Sequence, residues 1–249
     1  QPPCLLCGHH PHYRHNICKA CLEDLPWAQP PIVNQTLGYA YSACALNYLP
    51  PINGLIKQFK HQRNLAAGCL LEYCLSKTIS SALLEQQLLL PQQLIPVPLH
   101  RTRLRHRGFN QAEFIAHGLS KHLHIPMCKN LCLRLGDQAP LQGQNRRQRL
   151  RHMQGVFEVN TKEVNSRLHS IAIVDDVTTT GATAQALSSC LQSAWPNPLH
   201  IQLWCLAERQ HQKRNLNGRL INLRQKIFHL GYAGKSLHGA QRHRGGHLH

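Results

Sequence analysis

Residues 171–185 read IAIVDDVTTTGATAQ. A short apolar run, Ile171 to Val174, stops at two adjacent acids, Asp175 and Asp176. Three threonines follow, Thr178, Thr179 and Thr180, and then Gly181, Ala182 and Thr183. The apolar run is too short for a helix and rich in β-branched residues, so it predicts a buried strand. The stretch ATAQALSSCLQSA predicts a helix over 182–194. Strand, loop and helix in that order place the acids and threonines at the carboxyl end of a parallel strand, where open α/β sheets bind ligands.

The pattern repeats on both sides. LIPVP (94–98), GVFEV (155–159) and LHIQLWCLA (199–207) predict further strands. INGLIKQFKH, with apolar residues at Ile52, Leu55, Ile56 and Phe59, predicts a helix opened by Pro50-Pro51. Further helices are predicted over about 65–84 and 108–122. Strands alternating with helices predict an α/β fold with a mostly parallel sheet flanked by helices. Residues 37–49, LGYAYSACALNYL, read as a hairpin. HRTRLRHR (100–107) reads as a loop, and the arginine-rich 134–153 as a long one.

The loop chemistry is specific. TTTGAT (178–183) offers backbone N–H groups and hydroxyls at a helix N-terminus, which suits a phosphate. Gly181 lets the backbone curl closely. The two carboxylates cannot hold that phosphate. They can accept hydrogen bonds from a sugar diol, or hold a divalent cation through water. A 5-phosphorylated ribose satisfies both halves. The structural alternative is a capped strand-to-helix turn, which needs one such residue rather than six.

A second constellation lies at the start. Cys4, Cys7, Cys18 and Cys21 have the spacing C-x2-C-x10-C-x2-C, which suits tetrahedral structural zinc. A closed four-thiolate site has no open coordination position. His9, His10, His12 and His15 read as surface groups beside it. The other seven cysteines (Cys44, Cys69, Cys74, Cys128, Cys132, Cys190, Cys205) read as small buried hydrophobes. An odd count of 11 with one metal site points to a reducing, cytoplasmic setting. No 18-residue apolar run is present, so no membrane span is expected.

The net charge is +17. Residues 210–249 hold eight Lys/Arg and no acid, which leaves 20 basic and 11 acidic residues over 1–209, net +9. That balance favours polyanionic partners or phosphorylated small molecules. Arg146, Arg147, Arg149 and Arg151 are candidate nucleic-acid contacts. Aromatic residues for base stacking are few: Tyr13, Trp27, Tyr39 and Tyr41. The organisation expected is a cysteine module over 1–30, an α/β domain over 31–209 and a basic tail over 210–249.

VDDVTTTGAT resembles the phosphoribosyl-pyrophosphate (PRPP) motif of type I phosphoribosyltransferases. Residues 1 to about 209 resemble the ComF/ComFC (GntX-like) competence-protein family, in which a four-cysteine zinc finger precedes a phosphoribosyltransferase domain. The match includes VPLHRTRLRHRGFNQAEFIA (97–116), FKH around Lys60, and QAPLQGQNRRQRLRHMQGVF (138–157). The resemblance implies that Asp175 and Asp176 hold the ribose hydroxyls of PRPP with Mg2+, and that Thr178 to Thr183 hold its 5-phosphate. It implies a pyrophosphate side at Leu99, His100 and Arg101. Arg103 and Arg107 join these if 101–107 is extended, since alternation then sends Arg101, Arg103, Arg105 and Arg107 to one side; the alternative for this segment is a solvated basic helix. Lys60, Asn110 and Gln111 are pocket candidates, and Phe109 reads as core. It further implies a role in natural transformation, on single-stranded DNA and beside a helicase-like partner. Catalytic residues are not identified. An acid that assists purine bases in 6-oxopurine transferases is replaced here by Thr179. Transfer from PRPP to a base or amine and simple retention of PRPP both remain open.

Overall fold

The computed structural model describes residues 2–9, 14–28, 39–85, 89–136 and 155–209. These fall in one unit, Gln1–Gln210. The basic tail expected over 210–249, Arg146, Arg147, Arg149 and Arg151, and Tyr13, His10 and His12 lie outside the described residues.

At the centre is β5, Ser170–Thr178, beside β6, His200–Glu208. On the outer sides lie β1, Tyr41–Asn47, and β2, Gln93–Pro96. The sheet order is β1-β6-β5-β2, and each neighbouring pair is parallel. β5 and β6 are apolar along most of their length because both faces are covered. Ala172 and Val174 point into one core cluster, Ile171 and Ile173 into the other.

The first cluster packs under α2 (Ile52–His61), α3 (Leu65–Glu85) and α5 (Gln111–Leu123). α2 forms where predicted, and Ile52, Leu55, Ile56 and Phe59 are all buried. Phe109 belongs here too, since its ring and that of Phe114 each lie 5.3 Å from Phe59. The second cluster packs under α6 (Ala182–Ala194) and an antiparallel ribbon of β3 (Cys132–Arg134) and β4 (Phe157–Val159).

Three local expectations are corrected. Among the described residues 39–49 there is one strand, β1, rather than a hairpin. Its small residues, Ala43 to Leu46, fit an edge position against β6. The segment HRTRLRHR is not extended. It forms α4, Arg101–Arg107, started by His100, whose Nδ1 accepts from the Thr102 N–H at 3.3 Å. Gly108 ends it at φ 83, where a residue with a Cβ would be strained. Helix α5 therefore starts at Gln111 rather than Gly108. β5 runs on through Thr178, so Asp175 and Asp176 stand at the strand end, just before the threonine loop, where the sequence places them.

The cysteine module, with its short helix α1 (Lys19–Glu23), shares the first core. Cys4, Ile17 and Leu25 are buried in it. Its exit segment stitches onto the outer edge of β1: Ala28 N–H donates to the Ala45 carbonyl at 2.9 Å and Asn47 N–H to that of Pro26 at 2.7 Å. That covers an edge which would otherwise present free backbone groups.

Candidate functional site

The four N-terminal cysteines come together. Their sulfurs all lie within 4.8 Å of one another. Cys7 and Cys18 sulfurs are 3.8 Å apart. A tetrahedron with Zn–S arms of about 2.3 Å has edges of about 3.8 Å, so the donor set fits zinc. The N–H groups of Cys18 and Cys21 donate to the sulfurs of Cys4 and Cys18, each at 3.5 Å. Gly8 turns the first knuckle at φ 76. Burial acts to raise the Cys4 thiol, but hydrogen bonds from Cys7, Cys18 and Leu6 outweigh it and lower the pKa to about 6. Cys21 goes the other way, pushed well up by burial and by the sulfurs around it. His15 is not a bare surface group, since its ring stacks on Tyr73 of α3 at 4.3 Å. Of the remaining cysteines, Cys44, Cys74, Cys132 and Cys205 are buried as expected. Cys69 is exposed, and Cys128 and Cys190 are half-buried.

The second site stands at the carboxyl edge of the sheet. Asp176 forms an ion pair with Lys60 near the end of α2, Nζ to Oδ2 at 2.8 Å, with both side chains mostly buried. Asp175 accepts from the Asp176 N–H at 2.8 Å. Burial and the neighbouring Asp176 charge push its pKa up to about 7, against the pull of that N–H, Lys60 and Arg134. Cations thus flank the acids from two elements, Lys60 from α2 and Arg134 from the ribbon. In register beside Asp175 lies Cys205, and beside that Cys44, a weakly polar floor that explains the desolvation.

Beyond the acids the chain leaves the sheet at Thr178, whose carbonyl accepts from the Arg209 N–H at 2.9 Å. The Thr180 hydroxyl accepts from the Ala182 N–H at 3.4 Å. Gly181 caps α6 at φ 72 with no side chain in the way. The threonine loop therefore stands at the N-terminus of a 13-residue helix, beside the acids, as its sequence implied.

The loop after β2 lies next to it. Val97 N–H donates to the Val174 carbonyl at 2.9 Å, so Leu99, His100 and Arg101 leave the same edge. Because α4 is helical, Arg101 and Arg105 share one side and Arg103 and Arg107 another. Asn110 and Gln111 act as scaffolding. Asn110 caps α5 by accepting from Ala112 N–H at 3.1 Å, and its amide donates to the Val97 carbonyl at 3.0 Å. Gln111 is buried, and its side-chain oxygen accepts from Arg107 at 3.0 Å.

Tyr39 and Tyr41 are buried and offer no stacking face. Trp27 is tied down by its indole N–H to the Leu22 carbonyl at 3.1 Å. Sequence reasoning missed a different pair. Tyr48, just past β1, lies under the Arg209 guanidinium at 5.1 Å, at the same sheet edge as Thr178. Its signal was position alone, the residue after the last of a strand, which is visible only once the strand order is known. Arg134 was missed because it acts on Asp175 from the β3–β4 ribbon, remote from the acids in sequence.

Fold and site define an α/β protein with a parallel sheet, a paired-acid and threonine edge and an N-terminal four-cysteine module able to hold a metal such as zinc. No family model matches the chain. It is 30% identical over 207 residues to Competence protein F of Haemophilus influenzae, covering 83% of this chain and 84% of that protein. It is 29% identical over 203 residues to DNA utilization protein YhgH of Escherichia coli K12, covering 82% of each. Competence protein ComFC of Bacillus subtilis is 24% identical over 188 residues, covering 76% of this chain and 70% of that one. The chain belongs to the ComF family of competence proteins.

Proposed function

We propose that the carboxyl edge binds PRPP, or another 5-phosphorylated ribose, and that the protein serves natural transformation by handling imported single-stranded DNA. The observation that carries the ligand reading is the Asp175–Asp176 pair, held beside a threonine loop that opens α6 and countered by a mostly buried Lys60. Asp175 and Asp176 take the ribose hydroxyls. The loop from Thr178 to Thr183 takes the 5-phosphate with its N–H groups and hydroxyls. Lys60 and the residues leaving β2, Leu99, His100 and Arg101, would take the pyrophosphate, with Arg103 and Arg107 as further candidates. Magnesium, when bound with PRPP, would screen the charge of the leaving group. The relatives named for competence and DNA utilization support the transformation role. Unpaired cysteines throughout the described residues support a cytoplasmic setting. No described helix is long and apolar enough to cross a membrane.

Calorimetry with Mg2+ and PRPP tests the ligand. Asp176→Asn should remove binding while circular dichroism stays that of the wild type. An unchanged affinity would refute the site.

A second reading, transfer of the phosphoribosyl group to a base or amine, is favoured by Tyr48 under Arg209, a planar cationic shelf beside Thr178. Pyrophosphate release on adding one of a panel of bases and amines would decide for it. No release with any acceptor leaves the protein a PRPP binder.

A further inference from the structure

α2 and α4 end side by side, and what gathers there is positive. Arg63, just beyond α2, donates from Nε to the Arg107 carbonyl at 3.0 Å. Its guanidinium occupies the space beside Gly108, where a Cβ would stand 2.5 Å from it. His61 ends α2. Burial lowers its pKa, and the charges of Arg107, Lys60 and His106 lower it further, so His61 serves as a neutral hydrogen-bond donor beside the charged arginines. α4 contains four arginines, one histidine and no acid. Arg101, Arg105 and His106 are exposed, as are His61 and Arg63. Among the described residues, the ion pairs Lys19–Glu23, Lys60–Asp176 and Lys129–Glu113 involve none of His61, Arg63, Arg105 and His106. Two helix C-termini account for only about one unit of negative charge between them. That is too little to explain such a cluster as helix capping.

We propose that His61, Arg63, Arg105 and His106 form a track for the phosphates of single-stranded nucleic acid, running beside the ribose-phosphate edge. The inference rests on the reading of the protein as a nucleic-acid handler and gives that reading a place. Arginine forks match phosphodiester oxygens, and Arg63 and Arg105 supply two of them. A membrane-surface helix would need an apolar stripe, and Leu104 is the one apolar residue of α4. At about 1.5 Å per residue α4 is roughly 10 Å long, enough for two or three phosphates of one strand.

The test is anisotropy of a labelled oligothymidylate against the full chain over a salt series. Arg105→Glu with His106→Glu should weaken binding at least about tenfold at low salt. It should also flatten the log–log salt slope by about 0.7 for each phosphate no longer held. Arg105→Gln should give a smaller change in the same direction. If the double variant does not fold, this neutral variant decides, together with photocrosslinking from benzoylphenylalanine in place of His106. Crosslinks to the oligonucleotide support the track, and their absence overturns it. If the wild type binds and the variants bind equally with the same slope, the track is wrong while the handler reading stands. If the wild type does not bind, the handler reading itself falls. Equal affinity for duplex overturns the single-strand assignment. A loss seen with phosphatidylglycerol vesicles but not with DNA assigns the face to membrane instead.

Discussion

Replacing Asp175 with Asn should make the ligand-free protein more stable while removing its ligand chemistry. The carboxyl lies on the strand end above Cys205, and burial together with Asp176 raises its pKa from an ordinary 3.8 to about 7. A raised acid favours the protonated native form. Its stability contribution is therefore complete below about pH 4 and lost as pH rises from about 4 to 7; above that the penalty is constant. Three pH units correspond to about 4 kcal/mol at 1.36 kcal/mol each, an upper bound. Asp175 is only partly buried, and solvent screening reduces this to about 2 kcal/mol. Asn mimics the neutral acid, and its side-chain oxygen can still accept from the Asp176 N–H. For a unit of this size, 2 kcal/mol is about 4–8 °C in Tm. The assay is thermal unfolding of both proteins without ligand at pH 4.5 and pH 8. The gain should be small at the lower pH and near its full size at the higher. An Asn variant no more stable than wild type at pH 8, or one equally stabilised at both, would refute the assignment of a buried, like-charged carboxyl.

Two further outcomes follow from the module and the turn. Metal analysis should find one zinc per chain. Because Cys4, Ile17 and Leu25 share a core with the sheet, chelation should lower a single calorimetric transition rather than add a second, separate one. Zinc affinity should also fall as pH falls, since the Cys21 proton must be displaced. Gly108→Ala forces a side chain into φ 83 and against the Arg63 guanidinium at 2.5 Å. Urea unfolding should show a loss of about 1–2 kcal/mol, and adding Arg63→Ala should restore only the steric part.

How much of the molecule is legible in its sequence depends on whether the signal is local. IAIVDDVTTTGAT declares strand, acids and helix start within one short window, and INGLIKQFKH shows its buried stripe by spacing alone. The C-x2-C pairs are equally local. α4 escaped because its arginine alternation imitates an extended strand, while its helix is fixed by a His100 cap and a left-handed Gly108. β1 escaped because a chain of small and aromatic residues suits a hairpin as well as an edge strand. Only β6, from far along the chain, decides between them. The partners of the acids, Lys60 and Arg134, come from elements remote in sequence, so no window could show the field around Asp175.

The pairing of β1 with β6 also fixes an order of events. Tyr41 waits for Gln202 and Asn47 for Glu208. The cysteine knuckles emerge early from a ribosome and can take up metal at once. The surface they pack against is finished only when β6 arrives, after nearly all of the described chain. Until then β1 offers an open flank to any passing strand. Translation that stops before residue 200 would leave that flank of β1 uncovered. β6 is therefore the lock that distinguishes a finished molecule from an aborted one.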